Sequence, residues 1–471
     1  AYEFFRQTEH RVQMLEDAQT HRVPGDRETR ARLAALCGFE SLESFEGALV
    51  RQRAVVAEID RQLFGRSESL ADPMGSLIFT GVEDHPDTLT TIAKIGFSDP
   101  VFVSQTIRGW HHGRIRAMRS ERARELLTAL TPRLLRAFAA TGDADQAFTR
   151  FNLFFSSLSA GVQVLALFDA RPSLLDLLAR LLALAPRLAS ALARRPALMD
   201  AMIEPRFARP LAEDAPGVRT GELLARVREV DSFEARLNEA RRFQREEAFR
   251  IGVQVLEGVA SAADAGRAHS DLAEACVIAM AEAALSETER AFGPAPGAFT
   301  VLALGKFGGR EMAEGSDLDL LVVFEEIERS EFYARFTQRL ISALSAPTEE
   351  GALYEVDTQL RPSGSKGPVA ARLSSFERYY NEEAWTWEML ALTRLRPVAG
   401  DALFAAHVVK AASLALARPR DVHKTLAEVA DMRAKMERER GAKSVWDLKL
   451  APGGLVDIEF VAQALQLLHV A

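Results

Sequence analysis

The sequence predicts a mainly α-helical protein with one α/β core inserted into it. Three observations lead there. Apolar residues recur at helical spacing along most of the 471 residues. That spacing stops at "GPAPG" (293–297), a cluster of chain-breaking residues. Three short, β-rich apolar runs follow it, and helical spacing returns from residue 374.

Along the chain, residues 1–64 read as helices. Tyr2, Phe5, Val12 and Leu15 fall near one face, "RVPGD" (22–26) makes a turn, and "SFEGALVRQRAVVAEIDRQLF" (44–64) continues the pattern. His10 and His21 lie here with no partner at ligand spacing. A loop then leads to a second helical stretch, 66–205. Within it "RPSLLDLL" (171–178) is echoed by "RRPALMDAM" (194–202), each with Pro where a first helical turn tolerates it. The apolar stretch 174–193 is interrupted by Asp176, Arg180, Pro186 and Arg187, which predicts a pair of core helices and excludes a membrane span. The arginines of "RGWHHGRIRAMRSERAR" (108–124) could form an anion or nucleic-acid face, but in an acidic chain they read first as a solvated helix paired with nearby acids. "RFARPLAEDAPGVRTG" (206–221) has linker composition, and a long charged helix follows over 234–258. After the break, "AFTVLALG" (298–305), "LDLLVVF" (318–324) and the alternating "LYEVDTQLR" (353–361) read as strands, with a helix over 330–346 between the last two.

Hydrophobic residues make up 48% and charged residues 26%, as in an ordinary globular protein, and the net charge is −8. That balance speaks against general nucleic-acid binding, which needs a basic footprint. Cys37 and Cys276 form no metal-ligand spacing and read as reduced, cytoplasmic core residues. With no initiator Met and no signal segment, the chain reads as a window cut from a longer protein.

The chemistry concentrates in "GKFGGREMAEGSDLDLLVVFE" (305–325). Strand side chains alternate, so Asp317 and Asp319 project from one face with Cα atoms roughly 7 Å apart. Two like charges at the mouth of a buried strand repel unless one takes a proton or a cation sits between them. Hard carboxylate oxygens suit Mg²⁺. Asp357, on the polar face of the third run, supplies a third acid, and such a trio can hold two metals about 4 Å apart around a triphosphate. Gly308 and Gly309 would let backbone amides approach phosphate, with Ser316 adding a hydroxyl and Lys306 a charge. The order of residues is that of neither a Walker P-loop nor a dinucleotide fingerprint. Each piece has a plain reading: a lone D-x-D is weak, a glycine pair after a strand is a turn, and Asp357 could simply pair with Arg361. Their joint occurrence points to nucleotidyl transfer.

"LGKFGGREMAEGSDLDLLVVFE" (304–325), "LYEVDTQLRPSGSKGPVA" (353–370), "YYNEEAWTWEMLALTRLRPVAGD" (379–401) and "VWDLKLAPGGLVDIEFVAQ" (445–463) resemble the glutamine synthetase adenylyltransferase family, whose members both attach and remove adenylyl groups. "SLSAGVQVLALFDARPSLLDLLA" (157–179) and "AYEFFRQTEHRVQMLED" (1–17) are similar to it as well. One departure is mild: Gly308-Gly309 stands where many members have Gly-Ser.

The resemblance implies a DNA polymerase β-like nucleotidyltransferase fold flanked by helical bundles. The expected organisation is a helical tail of a preceding, adenylyl-removing half (1–65), a helical domain and linker (66–230), the nucleotidyltransferase core (231–415) and the start of a C-terminal helical domain (416–471). The implied reaction is Mg²⁺-dependent transfer of AMP from ATP to a tyrosine of glutamine synthetase, in nitrogen metabolism. Phosphorolytic removal of AMP is the enzymatic alternative, and a non-catalytic scaffold binding nucleotide or PII is the alternative of another class. Carried over by position, Asp317, Asp319 and Asp357 are the catalytic metal carboxylates. Lys306, Gly308, Gly309 and Ser316 meet the triphosphate, and Arg361, Ser363 and Lys366 steady the nucleotide. Asp457 and Glu459 pack against the site, and Trp385, Trp387 and Glu388 are either core or site. Glutamine synthetase is the implied partner, PII signal protein and glutamine the implied regulators, with no nucleic acid and no membrane.

Overall fold

A computed structural model describes all residues except 17–19, 65–70, 73–74, 80–82, 326–329, 365–366 and 470–471. The chain forms two compact units, Ala1–Leu184 and Ala185–Ala471. No helix among the described residues is long and apolar enough to cross a membrane.

The first unit is helical apart from a two-stranded ladder, β1 (Ala71–Asp72) with β2 (Gly75–Ser76). Its opening helices, Tyr2–Glu16, Arg27–Leu36 and Leu42–Phe64, bury Val12, Leu33 and Phe45 together. Side-chain caps start the later helices where the sequence supplies Asp or Ser: Asp99 accepts from Phe102 N, Ser120 from Ala123 N and Asp143 from Gln146 N. The interior is aromatic. Trp110, Phe148, Phe151 and Phe155 are buried, and Trp110 Nε1 donates to Asn152 Oδ1 at 3.0 Å. Of the arginine-rich stretch, Arg108 pairs with Asp84 at 2.6 Å and Arg122 with Glu125 at 3.0 Å.

In the second unit the stretch expected as a linker is packed. Asp214 accepts from Arg219 (2.7 Å) and Arg250 (2.9 Å), and Glu247 accepts from Arg219 (3.0 Å). All four side chains are almost fully buried. The charges that gave 206–221 its solvent-facing composition are consumed by one another and by the helix Phe233–Leu256.

The sheet comprises β3 (Phe299–Ala303), β4 (Leu318–Phe324), β5 (Val356–Asp357), β6 (Ala370–Arg372) and β7 (Arg396–Gly400). β3 pairs antiparallel with β4 and β7, whereas β5 and β6 lie parallel to β4. Both faces are covered. Val301, Val322 and Phe324 join the helices Ala262–Phe292 and Glu331–Ser345 through Cys276, Met280, Tyr333 and Phe336. Leu302, Leu321 and Val323 join Phe376, Leu390, Phe404 and Val408 on the other face. Two-sided burial is why β3 and the 320–324 run of β4 are almost continuously apolar.

Three sequence expectations change here. The third strand is two residues long, because Asp357 Oδ1 accepts from Gln359 N at 2.7 Å and this Asx-type turn ends it. β6 and β7 were not expected, the latter because Pro397 reads as a breaker; an edge strand tolerates it. "REMAEG" (310–315), which follows the glycine pair, reads as helix-like from its sequence, but the helical turn comes earlier, at Gly305–Gly308.

Candidate active site

The site is built where β3 hands over to that turn and β4 begins. Parallel register sets Asp319 of β4 directly beside Asp357 of β5. Asp317, one residue before β4, lies near enough to act on the same carboxyl. Burial first, then the charges of Asp317 and Asp357, push the Asp319 carboxyl up to about 6, while Lys306 pulls the other way. The structure thus places Asp317, Asp357 and Lys306 each within electrostatic reach of the Asp319 carboxyl.

The glycines have roles that the sequence reading placed differently. Gly308 N donates to Leu304 O (2.7 Å) and Gly309 N to Gly305 O (3.1 Å), so both amides are engaged within the turn. What these positions contribute is space. A Cβ on Gly308 would stand 2.0 Å from Arg394 O, whereas one on Gly309 would make ordinary contact with Arg394 Cδ at 3.5 Å. Gly305, not singled out from sequence, is the tightest against the acids. Its φ is +53°, and a Cβ there would lie 2.0 Å from Asp319 Oδ2. Ser316 Oγ accepts from Ala313 N at 3.0 Å, which leaves its hydroxyl proton to donate elsewhere.

Other expected residues lie apart from this group. Arg361 turns into its own loop: Nη1 donates to Thr358 O (2.6 Å) and Thr358 Oγ1 (2.7 Å), and Nε to Gly367 O (3.3 Å). Alternation had put it on the face of Asp357, but the strand stops short of it. Ser363, at φ +62°, presents its backbone amide to the Tyr379 hydroxyl. Lys366 lies outside the described residues. Glu388 is a structural acid, accepting from Tyr379 Oη (2.6 Å) and Trp385 N (2.9 Å), while the Trp385 side chain is exposed. Asp457 accepts from Gly453 N (2.6 Å) and pairs with Arg433, a first-turn role; Glu459 reaches Arg394 at 4.0 Å.

Sequence reasoning missed Arg396. From β7 its guanidinium donates to Phe307 O (3.2 Å) and Gly308 O (3.4 Å), pairs with Glu274, and stacks over the Phe307 ring at 5.4 Å. It closes the carbonyl end of the glycine turn. With β7 unread, nothing in the sequence pointed to it.

Among the described residues no group of three or more His, Cys, Asp or Glu side chains converges as a ready metal cage. The donor chemistry nonetheless fits a divalent cation: the Asp319 carboxyl is raised first by burial and then by the charges of Asp317 and Asp357, and hard carboxylate oxygens are the ligands such an ion takes.

The sequence model of the glutamate-ammonia ligase adenylyltransferase family matches residues 175–411, which hold the sheet, the glycine turn and all three acids. The chain belongs to that family. A second model, GlnD PII-uridylyltransferase, matches 1–64 and 424–471. Relatives named "Bifunctional glutamine synthetase adenylyltransferase/adenylyl-removing enzyme" include that of Caulobacter vibrioides, 50% identical over 100% of this chain and 48% of the relative. Those of Mesorhizobium japonicum and Agrobacterium fabrum are 43% and 42% identical over 98% and 99% of this chain, and 48% of each relative. The chain therefore spans about half the length of the curated relatives it matches.

Proposed function

We propose that this chain transfers AMP from ATP to a tyrosine hydroxyl of glutamine synthetase. The observation that carries this reading is the Asp319–Asp357 register pair, with Asp317 and Lys306 beside it, inside a member of the adenylyltransferase family. The fold reading goes with it: a DNA polymerase β-like core, supported by carboxylates on adjacent strands of a small mixed sheet. The helical ends, 1–65 and 416–471, belong to flanking helical modules, a reading supported by the PII-uridylyltransferase match at both. That match also supports PII as a regulator, with glutamine the second regulator that the family resemblance implies.

Asp317, Asp319 and Asp357 would hold Mg²⁺, and the bound ion would neutralise the trio and take up charge developing on the phosphates. The chain's own residues do the rest. Lys306 brings a positive charge beside Asp319 for the incoming nucleotide, and the Ser316 hydroxyl has a proton to donate. The closed turn Gly305–Gly308, clamped by Arg396, keeps side chains out of the space over Asp319. Gln359 N takes one acceptor site of Asp357 Oδ1 and leaves the rest of that carboxylate to the ion or, as the alternative, to the proton of a phenol whose ordinary pKa is about 10. The tyrosine oxygen bonds to the α-phosphorus, the α–β anhydride bond breaks, and pyrophosphate leaves. The relatives' names favour a second reading, the same displacement run with phosphate to release ADP.

The test incubates the chain with α-labelled ATP, Mg²⁺ and purified glutamine synthetase. Label should pass to the protein substrate with the wild type and not with Asp317→Asn; equal transfer by both overturns the reading. Release of ADP from adenylylated substrate and phosphate identifies the second.

A further inference from the structure

The second unit also carries a cleft whose charge the reaction above does not use. Arg187, Arg194, Arg195 and Arg245 line a cavity of ≈ 610 Å³. Its apolar lining is Leu188, Leu198 and Phe249, all buried, and one edge is Glu314-Gly315. Gly315 is two residues from Asp317, and Arg187 Nη1 lies 3.8 Å from where its Cβ would be.

The positive charge is in excess. Glu350 pairs with both Arg195 and Arg245 (3.3 Å), and Glu314 at the edge is the one acid among the lining residues, against four arginines. Among the described residues Arg187 and Arg194 make no ion pair. Burial, and next the charge of Arg195, hold Arg245 below its ordinary range. In a chain of net charge −8 this is a local reversal of sign, which attracts an acidic partner here and repels it elsewhere.

Spacing favours a peptide over a phosphate. Arg187 and Arg194 are seven residues apart on the helix Pro186–Arg194, so they share a face with Cα atoms roughly 10.5 Å apart. Two acids three residues apart on an extended polyproline-II segment, which turns once every three residues at about 3.1 Å each, share a face roughly 9 Å apart. A single phosphate would need donors converging on one point, and would gain nothing from an apolar floor. The helix is also held in place. A Cβ on Gly252, in the helix Phe233–Leu256, would stand 2.8 Å from Leu188 Cδ2, so the two helices approach as closely as a glycine allows.

We propose that this cleft docks the protein substrate by an extended acidic segment flanking the modified tyrosine. The proposal rests on the protein-directed AMP transfer above and adds the surface that selects the substrate. The cleft borders the loop that delivers Asp317, so a segment seated in it lies beside the reacting centre.

The probe is a fluorescent peptide of about a dozen residues carrying one tyrosine and glutamates three residues apart, read by anisotropy against a copy with glutamines. The wild-type chain should bind the acidic peptide about tenfold more tightly than the glutamine copy, a difference of about 1.4 kcal/mol. Arg187→Glu/Arg194→Glu should abolish that preference, leave Mg-ATP affinity unchanged, and raise KM for glutamine synthetase about tenfold with little change in kcat. Arg187→Gln/Arg194→Gln should fall between, and both side chains are exposed, so the fold is kept. Equal binding of the two peptides, no binding of the acidic one, or a loss of ATP affinity in place of peptide affinity overturns the proposal. Peptide discrimination without AMP transfer removes the proposed reaction and keeps the cleft. Transfer without discrimination does the reverse.

Discussion

Gly305 and Asp319 compete for the same space: a Cβ on Gly305 would lie 2.0 Å from Asp319 Oδ2. The turn after β3 therefore decides where the central carboxylate of the site can point. Because φ at Gly305 is +53°, any other residue meets backbone strain and the carboxylate together. Gly305→Ala should displace Asp319 and lower AMP transfer about a hundredfold, the effect expected of a shift near 1 Å at a reacting centre. Steady-state kinetics beside urea unfolding separates this from simple loss of fold.

The neighbouring glycines should behave unequally. Gly309→Ser meets Arg394 Cδ and Gly305 O at 3.5 Å, both ordinary contacts, so stability should stay within about 0.5 kcal/mol and activity near normal. Gly308→Ser drives a side chain into Arg394 O at 2.0 Å and should destabilise by about 2–3 kcal/mol. Urea midpoints of the two variants check the difference.

Asp319 sets a pH dependence. Its carboxyl is up at about 6 in the folded chain against 3.8 ordinarily, so the folded state holds the extra proton between those values. The associated stability is fully present below about 3.8 and is lost as pH rises through about 6. Asp319→Asn should therefore raise the cation-free unfolding free energy at neutral pH by about 1–2 kcal/mol, allowing for partial exposure, and the gain should vanish near the ordinary carboxylate pKa. Urea denaturation across that range reads it. A carboxamide more stable than the native acid, yet inactive, is what a site strained for function gives.

Arg396→Met should cost about 2 kcal/mol, since Phe307 O and Gly308 O lose a charged donor and Glu274 keeps only Arg310 at 3.6 Å. As Arg396 positions the turn and is not assigned to substrate, kcat should fall more than KM rises, and Arg396→Lys should recover part of it.

Asp214→Ala should destabilise by about 3 kcal/mol, because it leaves Glu247 as the remaining acid for both Arg219 and Arg250, which are almost fully buried. Thermal unfolding of the whole chain reads this, and a linker would have tolerated the change.

The legibility of this molecule in its sequence follows burial. β3 and β4 were readable because both faces are covered, which makes apolar runs with sharp ends. Asp317 and Asp319 stood out as charges opening such a run, and Asp357 as an acid on the next one. β7 was hidden by Pro397 in a five-residue edge strand, and Arg396 with it. The length of β5 was overread, since a side-chain-to-backbone bond from Gln359 N to Asp357, invisible to alternation, ends the strand. The packed stretch 206–221 was misread because composition counts charges without knowing which pair with which. Gly305 escaped notice for a related reason: its role is defined by a residue fourteen positions away.

The central claim is that Asp317, Asp319 and Asp357 stand together to receive a divalent cation with the nucleotide. Calorimetric titration of Mg²⁺ into the ATP-bound chain tests it most directly, with wild type, Asp319→Asn and Asp357→Asn compared. The account predicts saturable binding by the wild type that weakens as pH falls below about 6, and binding at least about tenfold weaker in each variant. Equal Mg²⁺ affinity in all three proteins would contradict it.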